Sequence, residues 1–216
     1  LENDVLFMGI DNAAGWRCCE VTLEDYLGYG TYRFVTRGRV DLLDPNIVFG
    51  LFIWEYVSCY DSSVMWWNPP NEFDIEFSRW GNPNALPAQF VAQPYDWPGN
   101  LSRFDIPDVP EAARITSEFD WQDDRMVCRA WLGDAPDPTP ATLLHEWTYT
   151  GPHLPRPGQA RVHLNFWLKD GSAPQDGQPA SVIVEDFQFT PPTPPKPDCP
   201  ADLTGNGIVD GGDLGI

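Results

Sequence analysis

Residues 71–77 read Asn-Glu-Phe-Asp-Ile-Glu-Phe, a stretch in which acidic and large apolar side chains alternate strictly. Successive side chains of a β-strand point to opposite faces, so the pattern predicts a strand with Glu72, Asp74 and Glu76 on one face. Like charges in a row repel, so this arrangement does not help to stabilise the fold. Two carboxyl groups that flank a glycosidic bond are what glycoside hydrolysis requires. The competing interpretation is a solvated polar strand face.

Other parts of the chain predict the strands that must hold this motif in place. Short strand patterns recur between clusters of Gly, Pro, Asn and Asp, and the 23 prolines disfavour helices because proline lacks a donor and clashes in a helix interior. The predicted strands cover residues 29–36, 47–54, 72–77, 89–93, 117–121, 125–131, 161–168 and 181–189. Many short strands at this spacing indicate an all-β fold, a β-sandwich of jelly-roll type, over residues 1–190.

The composition limits the classes of partner. The 216 residues suit one domain with an appendage, and no apolar run approaches the ~20 residues of a membrane span. A formal net charge of -19 would repel nucleic acid and anionic membranes, and it makes a neutral glycan the easier substrate. The alternative is that the negative charge only keeps the protein soluble. The ten tryptophans are either core residues or platforms on which sugars stack.

Residues 191–200 are rich in proline and predict an extended linker that ends the first domain. Residues 201–216 follow with the spacing of a calcium-binding EF-hand loop, including Gly207 at its sharp turn. The predicted Ca²⁺ ligands are Asp202, Thr204, Asn206, the carbonyl of Ile208, Asp210 and Asp213. The alternative is a disordered tail rich in Gly and Asp.

Residues 1–190 resemble glycoside hydrolase family 16. The resemblance rests on the Glu-x-Asp-x-Glu motif at Glu72, Asp74 and Glu76, with flanking segments in the family's order. Those segments are residues 27–34, 118–125, 162–167 and 182–189. The resemblance implies a concanavalin A-like jelly roll in which Glu72 is the nucleophile, Glu76 the general acid/base and Asp74 the carboxyl group that tunes them. No cofactor is expected for catalysis.

The resemblance also implies a set of substrate-binding residues, with core packing as the alternative for each tryptophan. These residues are Glu20, Trp54, Trp80, Gln93, Asn165 and Trp167. Asn165 and Trp167 would share one strand face and present a hydrogen-bonding group beside a stacking group.

Residues 201–216 resemble the first calcium repeat of a dockerin module, of which the chain carries one where dockerins carry two. An intact module would imply a cohesin-type scaffold as partner and an extracellular or cell-surface location, although no signal peptide is visible. The catalytic domain is expected to be a monomer.

The leading hypothesis is an endo-acting, retaining glycoside hydrolase of a neutral polysaccharide, with a β-1,3 or mixed-linkage β-glucan favoured. A non-catalytic, lectin-like carbohydrate-binding module is one alternative, because a fold does not dictate a function. A transglycosylase, which passes the covalently held sugar to a second sugar, is the other alternative.

Overall fold

A computed structural model describes residues 5–55 and 71–192 of the chain. These residues form twelve strands and two one-turn 3-10 helices, Val40–Leu42 and Lys169–Gly171. The strands are β1 (Leu6–Ile10), β2 (Cys19–Thr22), β3 (Gly30–Arg37), β4 (Ile47–Trp54), β5 (Glu72–Ser78), β6 (Ala88–Ala92), β7 (Leu101–Phe104), β8 (Arg114–Trp121), β9 (Met126–Leu132), β10 (Leu143–Tyr149), β11 (Arg161–Leu168) and β12 (Ala180–Thr190). Nowhere in this part of the chain is there a helix with the length and apolar character of a membrane span.

The strands form two antiparallel sheets of six strands each. The front sheet has the order β2-β11-β4-β5-β6-β7, and the back sheet has the order β1-β12-β3-β8-β9-β10. Neighbours such as β11 and β4 are far apart in the chain, so the fold depends on long-range pairing as in a jelly roll. The predicted all-β sandwich is confirmed.

The core lies between the sheets and is largely aromatic. Phe73, Ile75 and Phe77 of β5 are fully buried against it, and the ring of Phe73 lies 6.2 Å from that of Phe119 in the back sheet. Each aromatic side chain buries roughly 150–250 Å², so this layer contributes much of the apolar burial that stabilises the fold. Since these residues turn inward, their neighbours in β5 must turn outward.

Each of the eight predicted strands has a counterpart in the structure. The four strands that the sequence did not predict, β1, β2, β7 and β10, are the four edge strands of the two sheets. The predicted division into a domain, a linker and a calcium repeat stays a prediction, because residues 193–216 lie outside the described part of the chain.

Candidate active site

The three acidic residues lie on the outer face of the front sheet, the face turned away from the back sheet. β5 is an inner strand of that sheet, paired with β4 on one side and β6 on the other. Asp74 and Glu76 are only 3% and 9% exposed, and Glu72 is partly buried. The predicted alternation is therefore present, but the carboxyl groups do not form a solvated face.

Antiparallel pairing places a row of side chains from other strands beside each carboxyl group. Glu72 pairs with Trp54 of β4, which pairs in turn with Arg161 of β11. A second row contains Asp74, Phe52 and His163. A third row contains Gln89, Glu76, Gly50, Asn165 and Glu20, and so crosses five of the six strands.

Two glutamines of the β6 region bind the carboxyl groups. Gln93 Nε2 donates a hydrogen bond to Asp74 Oδ2 at 2.8 Å, and Gln89 Nε2 donates to Glu76 Oε2. Gln93 Oε1 accepts a hydrogen bond from the backbone N–H of Tyr95 at 3.0 Å, and this bond sets the orientation of the Gln93 side-chain amide. β6 and the residue that follows it therefore supply polar partners on the side of β5 away from β4.

The environment raises the pKa of Glu72 and Asp74. The pKa of Glu72 is raised to about 7, mainly because burial removes the carboxylate from water, while a hydrogen bond with Asp74 opposes the rise. The pKa of Asp74 is well above its ordinary value because of burial and then the charges of Glu72 and Glu76, with the Gln93 hydrogen bond opposing them. The hydrogen bond between the two residues raises the pKa of Asp74 and lowers that of Glu72, so Asp74 is the donor and Glu72 the acceptor.

The pKa of Glu76 is also raised to about 7. Burial is the largest cause, and the hydrogen bond from Gln89 opposes it. The charge of Glu72 raises the value further, while Arg103 and the indole of Trp80 lower it. The two glutamates thus change protonation in the same pH range, so one can be ionised while the other carries a proton.

A cavity of about 360 Å³ lies at the Glu76 end of this face. Tyr95 lines it and is 64% exposed, so an aromatic residue lies at the margin of the cavity. Its lining residues are Glu76, Trp80, Gln89, Gln93, Tyr95, Leu101, Arg103, Lys169 and Asp170. A ligand in this cavity would contact the Glu76 carboxyl group directly.

The remaining predicted binding residues lie on the same side of the sheet. Trp167 of β11 packs edge-to-face with Trp80, with ring centroids 5.8 Å apart. The Trp54 ring lies 5.6 Å from the imidazole of His163, and Glu20 Oε1 accepts from His163 Nδ1 at 2.8 Å. The structure therefore places all six predicted binding residues on the same side of the front sheet as the three acids, and their contact with a sugar stays a prediction.

Three residues of this site were missed from the sequence: Gln89, Arg103 and His163. Gln89 lies four residues before Gln93 in a predicted strand, so the period of two could have placed both on one face. His163 lies two residues before Asn165 and could have been found in the same way. Arg103 lies in the unpredicted edge strand β7, and local sequence offered no signal for it.

The described residues contain no candidate metal site. Within residues 5–55 and 71–192, no group of three or more His, Cys, Asp or Glu side chains is arranged to hold a metal ion. The predicted Ca²⁺ ligands from Asp202 to Asp213 lie outside the described residues.

Comparison with known proteins identifies the class of fold. No protein-family model and no curated protein sequence matches the chain. Solved structures do match it, among them a native glycosidic hydrolase with 20% identity and a TM-score of 0.58 over 90% of this chain and 81% of that one.

Two further similar structures are enzymes of known name. One is a prokaryotic β-1,3-1,4-glucanase (lichenase) from a mouse hindgut metagenome, with 16% identity, a TM-score of 0.59 and coverage of 88% of this chain and 82% of the other. The other is the κ-carrageenase zobellia_236 from Zobellia galactanivorans, with 9% identity, a TM-score of 0.60 and coverage of 89% and 81%. The chain therefore has the jelly-roll fold found among glycoside hydrolases.

Proposed function

We propose that this protein is an endo-acting, retaining glycoside hydrolase that cleaves a neutral polysaccharide, with a β-1,3 or mixed-linkage β-glucan favoured. The observation that carries the proposal is the row of three carboxyl groups on one strand, two of them buried and the third, that of Glu72, partly buried. The pKa of each of the two glutamates is raised to about 7, and the pKa of the aspartic acid between them is raised well above its ordinary value. Proteins rarely bury unpaired acids, and sites that do so are commonly catalytic.

The geometry supports a different chemical role for each of the two glutamates. Glu72, ionised and receiving a hydrogen bond from Asp74, attacks the anomeric carbon and forms a glycosyl-enzyme. Glu76 donates its proton to the leaving oxygen and then takes a proton from the water that hydrolyses the intermediate. Gln89 holds the Glu76 carboxyl in place during both steps.

The choice of a neutral polymer is supported by charge, and the choice of a β-glucan by fold. The net charge of -19 disfavours polyanions over long range. A β-1,3-1,4-glucanase is among the proteins that share the fold, and the outer face offers aromatic rings at Trp54, Trp80 and Trp167 for stacking on sugar rings.

The test is hydrolysis of lichenan, laminarin, xyloglucan, agarose and carrageenan by the wild-type protein and the Glu72→Gln variant. We expect release of reducing ends from a β-glucan, retention of the β configuration in the first product seen by NMR, and a loss of kcat of more than about 10³-fold in the variant. Glu146→Gln, an exposed change on the back sheet, is the matched control and should remain fully active.

Other results would point to the other functions. Undiminished hydrolysis by Glu72→Gln would end the proposal. Glycan binding without hydrolysis across the whole panel would favour a lectin-like module, and products longer than the substrate would show a transglycosylase.

The C-terminal segment is proposed to bind Ca²⁺ through Asp202, Thr204, Asn206, Ile208, Asp210 and Asp213 and to belong to a module that docks on a cohesin-type scaffold outside the cell. The support is the ligand spacing alone. Calorimetric titration with Ca²⁺ of the full chain and of a chain that ends at residue 192 measures this binding. Equal heats of binding from the two chains would exclude the site.

A further inference from the structure

Most of the predicted binding residues lie on one side of the acid row. Four of them belong to β2, β4 and β11, on the same side of β5 in the front sheet: Glu20, Trp54, Asn165 and Trp167. A polymer that is cut in its interior extends beyond the cleaved bond in both directions. Sugar units must therefore also lie on the other side of β5, over β6 and β7.

The cavity beside Glu76 lies over this other part of the front sheet. Antiparallel pairing places Gln89 of β6 next to Glu76 and Arg103 of β7 next to Gln89, and all three residues line the cavity. Of the two proposed catalytic glutamates, both in the described part of the chain, only Glu76 lines it. Because Glu76 protonates the leaving oxygen in the proposed mechanism, the cavity suits the sugar units of the leaving group.

Tyr95 brings an unoccupied aromatic ring to this cavity. The residue is 64% exposed, and within residues 5–55 and 71–192 its ring makes no aromatic contact and its hydroxyl group no hydrogen bond. Trp97 on the same loop is 52% exposed, but its ring packs edge-to-face on His153 with centroids 4.9 Å apart. A free ring beside a cavity that also holds polar groups is typical of a binding site, and it favours a ligand that stacks.

The loop that carries Tyr95 is fixed to the rest of the fold. The backbone N–H of Tyr95 donates to Gln93 Oε1 at 3.0 Å. Asn100, which is 1% exposed, donates through Nδ2 to the carbonyl of Pro94 at 2.9 Å and accepts from the hydroxyl of Tyr149 at 2.8 Å. Because this backbone is already ordered, a ligand that binds to Tyr95 does not have to order the loop.

Backbone strain at the same cavity is a second, independent observation. Among the residues that the structure describes, Trp80 and Asp170 are the two other than glycine with positive φ, at 51° and 53°. Both line the cavity just beyond the ends of β5 and β11, whereas Tyr95 follows β6, which is antiparallel to β5. Strain of this kind is found mainly at ligand-binding and catalytic sites, where the surrounding structure maintains it.

We propose that Tyr95 is a specificity-determining residue that stacks on a sugar unit on the leaving-group side of the cleaved bond. This inference rests on the proposed function and extends it to the part of the polymer that departs. A β-linked glucose unit carries its hydroxyl groups at the ring edge and C–H groups on its faces, so it offers an apolar face to an aromatic ring. An axial hydroxyl group, as in galactose, would interrupt one of these faces, so Tyr95 favours glucose units.

The test compares two donors that differ in what leaves. Lichenan places sugar units on the leaving-group side, whereas laminaribiosyl β-fluoride releases a fluoride ion and places no sugar there. For a retaining enzyme, kcat/KM reports the steps up to departure of the leaving group. Tyr95→Ala should lower kcat/KM on lichenan roughly 10-fold, because a stacked sugar loses its aromatic partner, and change kcat/KM on the fluoride by less than about twofold.

Two further variants separate stacking from an effect on folding. Tyr95→Phe keeps the ring and should keep kcat/KM on both donors within about twofold of wild type. Phe7→Ala removes a ring that is also 64% exposed, from β1 of the back sheet, and should leave both values unchanged. Equal losses on the two donors in Tyr95→Ala, or no loss on lichenan, would show that the ring does not bind the leaving group.

The outcomes separate this inference from the proposed function. Cleavage of both donors by the wild-type protein, together with equal effects of Tyr95→Ala on them, overturns the role of Tyr95 alone. Failure of the wild-type protein to cleave the fluoride or any polysaccharide of the panel overturns the proposed function and the role of Tyr95 with it.

Discussion

Asp74 lies between two glutamates and donates a hydrogen bond to Glu72. The pKa of Asp74 is raised by burial and by the negative charges on both sides, which together outweigh the hydrogen bond from Gln93. In the proposed mechanism, a neutral donor at this position stabilises ionised Glu72 as the nucleophile without adding a third charge to the site.

The role of Asp74 can be tested by removing its donor. The Asp74 hydrogen bond lowers the pKa of Glu72, so Asp74→Ala should raise that pKa by about one unit and move the acidic limb of the kcat/KM profile to higher pH. Asp74→Asn, which keeps an N–H donor, is the matched control and should leave the limb close to its original position. The measurement is the pH dependence of kcat/KM on lichenan; identical profiles for both variants would contradict this role.

At the scale of single elements, strand position in the sheet explains which strands were predictable. β5 is paired on both sides and has one face on the core, so its pattern of alternation is complete. The edge strands β1, β2, β7 and β10 pair on one side only, and β2 keeps just one of its four residues partly buried. Their alternation of apolar and polar residues is weak because fewer of their side chains have to be buried.

Strand pairing also places Gly50 where a side chain would disturb the site. Gly50→Ala should push the Asn165 amide aside and raise KM on lichenan roughly 10-fold, with little change in the thermal unfolding midpoint. Gly9→Ala is the matched control in β1, because a Cβ there makes only ordinary contacts, the nearest at 3.5 Å. The same KM in both variants would show that Asn165 does not bind the substrate.

For the whole molecule, the buried acids should lower stability as the pH rises. The pKa of Glu76 is about 7 in the folded state, above its ordinary value of 4.5, so the folded protein binds more protons than the unfolded chain between those values. The stabilising contribution of its proton is present at low pH and is lost as the pH rises through 7.

Replacing this carboxyl group should therefore stabilise the protein at high pH only. Glu76→Gln should gain up to about 3 kcal/mol of unfolding free energy over wild type at pH 8 and almost none at pH 4. Urea unfolding at the two pH values measures the difference, and the exposed change Glu146→Gln should show none. An equal gain in unfolding free energy at both pH values would mean that burial does not raise the pKa of Glu76. Loss of activity with gain of stability is the trade-off expected of a catalytic site.

The sequence by itself determined the features that depend on neighbouring residues along the chain. The period of two along residues 72–77 put three acids on one face and three apolar groups on the other, and the same period identified the inner strands. This information is local, because the direction of a side chain in a strand depends only on its position in that strand.

Only the tertiary structure decided what surrounds the acids. The hydrogen bond between Glu20 and His163 joins residues 143 positions apart, and Gln89 reaches Glu76 because β6 pairs with β5 in one particular register. The raised pKa values of Glu72 and Glu76 depend on burial by several strands at once. Long-range pairing brings these groups together, and the residues themselves carry no local pattern from which their partners could be identified.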